Sequence, residues 1–232
     1  MSRVSIVARS RSLPRAEIAG IGRFTVAGRH HDFAITWDDR ERAAGWHRAA
    51  LAAWGFSPGD SVLITSVACE GFWTAGLTQA LHDHHIVFAL AESYGWDARR
   101  VGTFARRLPL AAVFGLGRET AEGLRGTASL DVLAPVRHLF ARPEAFPILR
   151  GADLDPLLFA PIGPAVAVEC PERGGGHVDA RLWSVRAVDG QLRLSFADER
   201  PDGLRDVPLG VGGTVRTGRC ACGSDDPRVL LA

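Results

Sequence analysis

Apolar residues follow two different periods in the first half of this chain. From Ala43 to Trp54 they recur at helical spacing, behind a Thr36–Asp39 pair that has the arrangement of an N-terminal capping box. The glycine after Trp54 predicts the end of this helix. Turn residues at 58–60 then lead into the β-branched run SVLITSV, which is typical of a buried strand.

The same alternation continues downstream, where the apolar runs contain almost no polar residues. Fully apolar strands separated by helical segments are typical of a parallel sheet covered on both faces. We therefore predict an α/β fold, a parallel sheet flanked by helices. Three cysteines and a histidine in the last third, Cys170, His177, Cys220 and Cys222, predict that a small zinc-clipped antiparallel β module follows it. The further elements predicted are a helix over 71–82, a strand over 86–91, a helix over 97–108 and a strand over 110–115.

Two regions give a weaker pattern. Residues 1–35 show little periodicity, apart from a short strand over 33–35. Prolines interrupt the stretch from 126 to 162, where we expect a short strand over 130–133 and a helix over 136–141.

The last third of the chain changes character and consists of short strand-like runs. The runs ARLWSVRA and QLRLSFA meet at Asp189-Gly190, a pair that favours a tight hairpin. PAVAVEC precedes them and PRVLLA ends the chain. We predict two domains, an α/β domain over 1–162 and a β module with a metal site over 163–232.

Composition excludes several classes of function. The chain has 232 residues, a net charge of +1 and 47% hydrophobic residues, and all 27 of its basic residues are arginine. Acidic and basic residues are interspersed, so no basic stripe for nucleic acid is present. No apolar run reaches the roughly 20 residues of a membrane span, and the N-terminus lacks the apolar core of a secretion signal. We expect a cytoplasmic protein, and the arginine-rich composition indicates a GC-rich bacterial genome.

Three thiols and one imidazole form the most specific chemical pattern. Cys170, His177, Cys220 and Cys222 make a complete tetrahedral zinc set, which leaves no open position for water. We therefore predict a structural zinc ion that clips two distant loops together. A disulfide between Cys220 and Cys222, or one that involves Cys170, stays open as the alternative.

These elements resemble those of the adenylate-forming superfamily, in particular its phenylacetate-CoA ligase branch. The first matching stretch is TWDDRERAAGWHRAALAAWGFSPGDSVLITSVACEGFWTAGLTQALHDHHIVFALAESYGWDARRV. The second, more specific match is GPAVAVECPERGGGHVDARLWSVRAVDGQLRLSF followed by CACGSDDPRVLL. In relatives, the Glu-Cys, His and Cys-X-Cys-Gly positions of this second stretch hold a structural zinc. The resemblance covers roughly residues 33–232, with a shortened middle.

The departures from the family pattern fall on its chemistry. Residues 25–31, Thr-Val-Ala-Gly-Arg-His-His, replace the Ser/Thr/Gly-rich phosphate loop that ends in Lys-Pro. Residues 157–161, Leu-Leu-Phe-Ala-Pro, replace the Tyr-Gly-X-Thr-Glu segment whose Glu holds magnesium, and residues 211–215 lack the acid that holds the ribose. The C-terminal lid of the family is also not expected here. Because of these departures we expect neither ATP nor Mg²⁺ as a cofactor.

Several other side chains have both a chemical and a plain interpretation. His30 and His31 occupy the position of the phosphate loop, so they are weak candidates for an acid or base, or plain surface residues. Phe72 and Trp73 follow the first parallel strand at its carboxyl end, where open α/β sheets bind ligands and where relatives form an aromatic acid pocket. They are candidates for ligand contact, or helix-start core residues. Cys69 is predicted to be a small core residue.

The remaining histidine group lies at 82–85, where Asp83 stands among His82, His84 and His85. We predict a solvated helix end there in preference to a second metal site. Trp46 and Trp54 are predicted to serve packing.

Together these features predict a degenerate, zinc-stabilised relative of phenylacetate-CoA ligase that lacks the ATP-binding and lid elements. It would act as an accessory or ligand-binding protein of a biosynthetic pathway, as a homodimer or with a partner enzyme or carrier protein. The alternative is an enzyme with a repurposed pocket that acts on an aromatic or acyl small molecule without ATP. No nucleic acid or membrane partner is expected.

Overall fold

The computed structural model describes residues 18–199 and 204–232, and it contains the predicted alternation of strands and helices. Its helices are α1 Trp37–Ala53, α2 Gly71–Asp83, α3 Ala98–Arg107, α4 Arg118–Thr127 and α5 Phe146–Arg150. The strands before residue 150 are β1 Ile18–Val26, β2 Arg29–Thr36, β3 Ser61–Thr65, β4 Val87–Ala91, β5 Leu110–Leu116 and β6 His138–Ala141. Those after it are β7 Pro156–Ile162, β8 Ala165–Glu169, β9 Gly176–His177, β10 Trp183–Val188, β11 Gln191–Phe196, β12 Val207–Arg216 and β13 Arg228–Leu231.

One mixed sheet of eleven strands runs through the described residues in the order β10-β11-β12-β13-β9-β8-β7-β6-β5-β3-β4. Strands β3 to β7 pair in parallel, as the apolar runs predict. From β7 onward every pairing is antiparallel. The β7–β8 pair joins the two regions across the boundary predicted at 162/163, and the division into two domains stays a prediction.

Both faces of the parallel region are buried. Val62 and Ile64 of β3 face α1 and α2, whereas Leu63 between them faces α3 and α4. This alternation explains why the strand is apolar at every position. None of the helices in the described ranges is long and apolar enough to cross a membrane.

Helix α1 begins with the predicted capping box. The Thr36 hydroxyl accepts from the Asp39 backbone N–H at 3.1 Å, and the Asp39 carboxylate accepts from the Thr36 backbone N–H at 2.9 Å. These bonds satisfy backbone donors that the first helical turn would otherwise leave unpaired. The helix ends before Gly55, which has a φ of 71°.

A hairpin precedes α1, in the region where the sequence showed little periodicity. Strands β1 and β2 pair antiparallel, with Thr25 opposite His30 and Val26 opposite Arg29. The two residues between them, Ala27 and Gly28, have φ angles of 47° and 75°, as in the tight turn whose twist suits a hairpin. The predicted strand over 33–35 is therefore part of a longer element.

The predictions over 130–141 were wrong in type. Leu130–Leu133 forms a 3₁₀ helix instead of a strand, and its start is capped by the Ser129 hydroxyl, which accepts from the Asp131 backbone N–H. The predicted helix over 136–141 is instead strand β6, which fills the place between β5 and β7. Short apolar runs fit either period, so neighbouring strands decide the outcome.

The hairpin β1–β2 packs over the antiparallel region. Phe24 and Phe33 enter a core with residues of β7, β8 and the β10–β12 strands. Asp189 and Gly190 have φ angles of 50° and 75° and join β10 to β11 by the predicted tight turn. This packing places the hairpin next to the N-terminal ends of α1 and α2, where the candidate pocket lies.

Candidate metal centre and neighbouring pocket

The structure brings the four predicted metal ligands together. Cys170 directly follows β8, His177 lies in β9, and Cys220 and Cys222 lie in the loop between β12 and β13. Because β8, β9 and β13 are neighbours in the sheet, residues distant in sequence meet at one end of these strands. The three Sγ atoms and a ring nitrogen of His177 all lie within 4.8 Å of one another, and all four cysteines of the chain are free thiols.

The spacing within this cluster can be compared with the geometry of zinc. Zinc bonds of about 2.3 Å to sulfur and about 2.0–2.1 Å to nitrogen, in a tetrahedron, place two sulfurs about 3.8 Å apart and a sulfur and a nitrogen about 3.5 Å apart. The Sγ atoms of Cys170 and Cys220 are 3.8 Å apart. Sγ of Cys222 is 3.5 Å from Nε2 of His177. The donor set and the size of the cluster therefore fit a zinc ion.

The other ring nitrogen of His177 is held by the backbone. Nδ1 lies 3.1 Å from the carbonyl oxygen of Asp226, so Nδ1 carries the proton and donates it. That tautomer leaves Nε2 as the lone-pair nitrogen that faces Cys222. In many metal sites the histidine is oriented in the same way, by a hydrogen bond from the ring nitrogen that does not bind the metal.

The thiols of the cluster differ in how readily they lose a proton. Burial raises the pKa of Cys170 to about 12, whereas the backbone N–H of Cys222 donates to Cys220 and lowers the pKa of that thiol to about 6. The Arg228 guanidinium approaches Sγ of Cys220 at 3.7 Å. A zinc ion with three thiolates carries a net charge of −1, which this arginine would offset.

Trp46 of α1 and Trp54, directly after the helix, hydrogen-bond to the segments that carry the cluster. Trp46 Nε1 donates to the Asp226 carboxylate at 2.8 Å, and Trp54 Nε1 donates to the Glu169 carbonyl at 2.8 Å. Glu169 precedes Cys170 in the chain, and Asp226 is the residue that orients His177. The two tryptophans thus pack as predicted and also connect α1 to the cluster.

A mostly apolar pocket of about 430 Å³ lies along the N-terminal half of α1, and Trp46 is part of its lining. It is bounded by α1, α2, the β1–β2 hairpin and strands β8, β10 and β11. A cavity of this size, with apolar walls and few polar groups, is typical of a small-molecule site. Phe72 and Trp73, the predicted ligand contacts, both line it.

Aromatic side chains form the wall of this pocket that the hairpin shares with α2. The Phe33 and Phe72 rings are 5.5 Å apart and nearly perpendicular, and the Phe72 and Trp73 rings are 4.7 Å apart. Trp73 Nε1 donates to the Gly163 carbonyl at 2.9 Å, which fixes the indole. Such a wall suits contact with a planar or aliphatic ligand.

Few polar side chains reach the pocket. Those that do are Asp39, Arg40, His47, Cys69 and Asp179. Asp179 accepts from the Arg181 side chain at 3.1 Å, and burial raises its pKa. Burial lowers the pKa of His47 to about 3, so its imidazole is neutral at physiological pH.

Sequence reasoning missed His47. Its signal was a histidine on the helix face that also carries Ala43 and Ala50, a face otherwise made of apolar residues. The histidine lies four residues after Ala43, so it points to the same side of α1.

The weak catalytic candidates lie away from the pocket. His30 is exposed on β2, with Nδ1 2.9 Å from the Thr25 hydroxyl, and the His31 ring stacks on Phe24 at 5.0 Å. Neither lines the cavity. Their acid–base role stays a prediction with no adjacent cavity to support it.

Cys69 was expected in the core, but it is exposed at the pocket rim. It belongs to the 3₁₀ turn Ala68–Glu70, which places the thiol outside the packed strand.

His82 and His84 lie at the end of α2, and Asp83 between them accepts hydrogen bonds from Gln79 and Arg48. Among the described residues, only the cluster of Cys170 forms a group suited to a metal.

The segments that depart from the family pattern are built into strands. Residues 157–161 lie in β7, where Leu157 and Phe159 are buried in the core. Residues 211–215 lie in β12. Residues 25–31 form the tight hairpin turn and the strand ends beside it, with Thr25 and His30 facing each other.

Comparisons with solved structures identify the fold. The chain is similar to 2-hydroxyisobutyryl-CoA ligase in complex with 2-HIB-AMP and CoA, with a TM-score of 0.69 and 16% identity over 94% of this chain and 57% of that one. The chain is also similar to ATP-bound MatB from Rhodopseudomonas palustris, with a TM-score of 0.58 and 15% identity over 94% of this chain and 49% of that one. A third similar structure is a double mutant of o-succinylbenzoate CoA synthetase (MenE) from Bacillus subtilis, bound with a product analogue. Its TM-score is 0.57, with 12% identity over 92% of this chain and 49% of that one. No model of a protein family matches the chain, and neither does any curated protein sequence.

These likenesses show that the chain has the fold of acyl-CoA ligases of the adenylate-forming superfamily. Sequence identity of 12–16% shows the fold alone. The chain spans about half the length of these ligases.

Proposed function

We propose that this chain is a degenerate, zinc-stabilised relative of phenylacetate-CoA ligase that binds an aromatic or acyl small molecule without using ATP, as an accessory protein of a biosynthetic pathway. The observation that carries the proposal is the combination of an apolar pocket with strands in place of the segments that would hold a nucleotide. The pocket keeps its aromatic wall at Phe72 and Trp73.

The hairpin turn supports the loss of the phosphate grip. A phosphate loop works through several backbone N–H groups that point at one anion. Here the connection between β1 and β2 has shrunk to Ala27 and Gly28, and the flanking residues pair across the hairpin. This leaves a turn too short to surround a triphosphate.

The apolar residues of β7 support the loss of the magnesium site. Mg²⁺ requires oxygen ligands, and Leu157 and Phe159 offer none. Both are packed in the core, so their replacement by a carboxylate would place a charge in an apolar environment.

The zinc assignment follows from the donor set. Cys170, Cys220, Cys222 and His177 would supply all four ligands of a tetrahedral zinc ion. The ion would join β8 and β9 to the loop before β13 and would leave no coordination site for a substrate. A structural ion of this kind adds its binding free energy to the folded state. We assign it no part in a reaction.

The proposal is tested by measuring ligand binding and adenylation on the same purified chain. Thermal-shift screening with phenylacetate, benzoate and short acyl-CoAs should reveal stabilisation that does not change when ATP and Mg²⁺ are added. Pyrophosphate exchange with the same acids should stay at background, and a full-length acyl-CoA ligase serves as the positive control. Acid-dependent pyrophosphate exchange would refute the proposal, and so would a screen without any stabilising compound.

Association with a second copy is part of the same proposal. Strand β4 is an edge of the sheet, contains no charged residue, and exposes Val87 by 63% and Leu90 by 54%; Trp96 after it is 67% exposed. Natural edge strands usually carry a charge or proline that prevents pairing. The opposite edge strand, β10, carries Arg186.

We therefore expect two copies to pair β4 against β4 around a two-fold axis. Sedimentation velocity over a concentration series should give a dimer that Leu90→Lys converts to a monomer. Arg186→Ala, on the opposite edge, should remain dimeric. A wild-type monomer at all concentrations would contradict this part of the proposal.

A further inference from the structure

His47 is a buried residue of the pocket lining whose ring has no hydrogen-bond partner among the described residues. Its side chain is 4% exposed, and its recorded contact within the described residues is the Trp46 ring at 4.8 Å, edge to face. No hydrogen bond to its imidazole occurs among the residues that the structure describes. The ring nitrogens of His47 are not among the fully buried polar atoms without a partner, which within the described residues are Thr120 Oγ1 and Arg228 Nε. They are therefore open to the cavity, where a ligand or water can supply the hydrogen bond that the protein does not.

A glycine makes room for this imidazole. A Cβ atom at Gly76 of α2 would lie 2.8 Å from the Cβ of Ala43 and 3.1 Å from Cδ2 of His47. Helices α1 and α2 therefore approach closely at this point, and the ring edge next to Nε2 lies against the glycine. Gly76, Ala43 and His47 all line the pocket, so the imidazole borders the cavity.

We propose that His47 is the hydrogen-bonding anchor of this pocket and that the ligand is a small aromatic compound whose hydroxyl group binds the imidazole. The inference rests on the proposed function and adds the ligand class to it. A hydroxyl group both donates and accepts, so it satisfies a neutral imidazole in either tautomer. The aromatic ring would lie against the wall formed by Phe33 and Phe72.

Charge favours a hydroxyl over a carboxylate at the buried end. The imidazole is neutral, because burial disfavours its charged form. Two carboxylates, Asp39 and Asp179, also line the pocket, while Arg40 lies over the Trp37 ring at 5.4 Å. A ligand carboxylate next to His47 would thus be desolvated without a cationic partner, which is costly.

Calorimetry with pairs of compounds that differ by one hydroxyl group tests this inference. The pairs are 4-hydroxyphenylacetate with phenylacetate and 4-hydroxyacetophenone with acetophenone, titrated into the full chain at pH 7.5. The hydroxylated member of each pair should bind about tenfold more tightly, as expected for one hydrogen bond to a buried group. In His47→Leu this advantage should disappear, while the unhydroxylated compounds keep their affinity. His47→Gln should retain part of it.

A measurement on the wild type covers the case in which His47→Leu does not fold. The ring ¹⁵N resonances of His47 should shift with the hydroxylated compound and stay in place with its partner. Equal affinity of both members for the wild type would overturn the inference, as would an unchanged hydroxyl preference in His47→Leu.

Those outcomes leave the proposed function standing, because ligands still bind. Binding of no compound by the wild type would instead remove the proposed function itself. Ala75→Leu, which narrows the cavity, should weaken the binding of every compound, and unchanged binding in this variant would place the ligand outside the pocket. His82→Leu, far along α2 from the pocket, is the matched histidine control and should behave as wild type.

Discussion

His47 should make the stability of the folded chain depend on pH. Its pKa lies at about 3 in the folded protein because of burial, against an ordinary value of 6.5. Below pH 6.5 the unfolded chain binds a proton that the folded chain does not, so stability falls as the pH falls from 6.5 toward 3. pH 5 lies about 1.5 units below the ordinary pKa of histidine and well above the pKa of folded His47. The free energy of unfolding should therefore be about 2 kcal/mol lower at pH 5 than at neutral pH.

Urea unfolding at pH 7.5 and pH 5.0 measures this loss. His47→Gln has no titrating group at this position. The decrease in its free energy of unfolding from pH 7.5 to pH 5.0 should therefore be about 2 kcal/mol smaller than in the wild type. Other titrating groups, including Asp179, whose raised pKa acts in the opposite direction, are common to both proteins and cancel in the comparison. His82→Gln, with an exposed histidine, is the control. Equal pH dependence of wild type and His47→Gln would refute the burial argument.

Further substitutions test the metal centre and the backbone. Elemental analysis should find one equivalent of zinc in the wild type and none in Cys220→Ala, which should also have a lower melting temperature. Cys69→Ala, outside the cluster, should keep the zinc content and the melting temperature of the wild type. The same zinc content in Cys220→Ala and the wild type would refute the assignment. Trp46→Phe removes the bond to the residue that orients His177 and should weaken zinc binding about tenfold in a chelator competition. Gly115→Ala should destabilise by more than about 1 kcal/mol in urea unfolding, because its φ is 82° and a Cβ would lie 2.6 Å from a backbone oxygen. Gly126→Ala in α4 has free space and should stabilise slightly.

Most of the parallel region could be predicted from the sequence because its central strands β3 and β5 are buried on both faces and therefore almost uniformly apolar. The capping box at Thr36 and the Asp189–Gly190 turn were also readable, since both depend on a few adjacent residues. The hairpin β1–β2 was not, because its pattern IAGIGRFTV mixes glycine and polar residues and only one face meets the core. Strand β6 was missed for a different reason: it has only four residues, His138–Ala141, and it gains its conformation from pairing between β5 and β7.

The metal ligands could be predicted as a set, whereas the pocket could not. Cys170, Cys220 and Cys222 are rare residues of one chemical kind, so their grouping is visible without a fold. His47 acquires its meaning only from Gly76, which lies 29 positions later and admits the ring between two helices. Such a pair has no local signature in the sequence.

The metal centre and the pocket share one structural element, which explains how a zinc ion without a reaction could still matter for ligand binding. Trp46 is bonded to Asp226, and His47 beside it points into the pocket. Trp46 also lines the pocket, so the loop that carries Asp226 holds part of the pocket wall in place. A helix held at this residue has fewer orientations relative to α2, and a ligand then loses less free energy in ordering the pocket. The metal centre therefore contributes to the preorganisation of the pocket through Trp46.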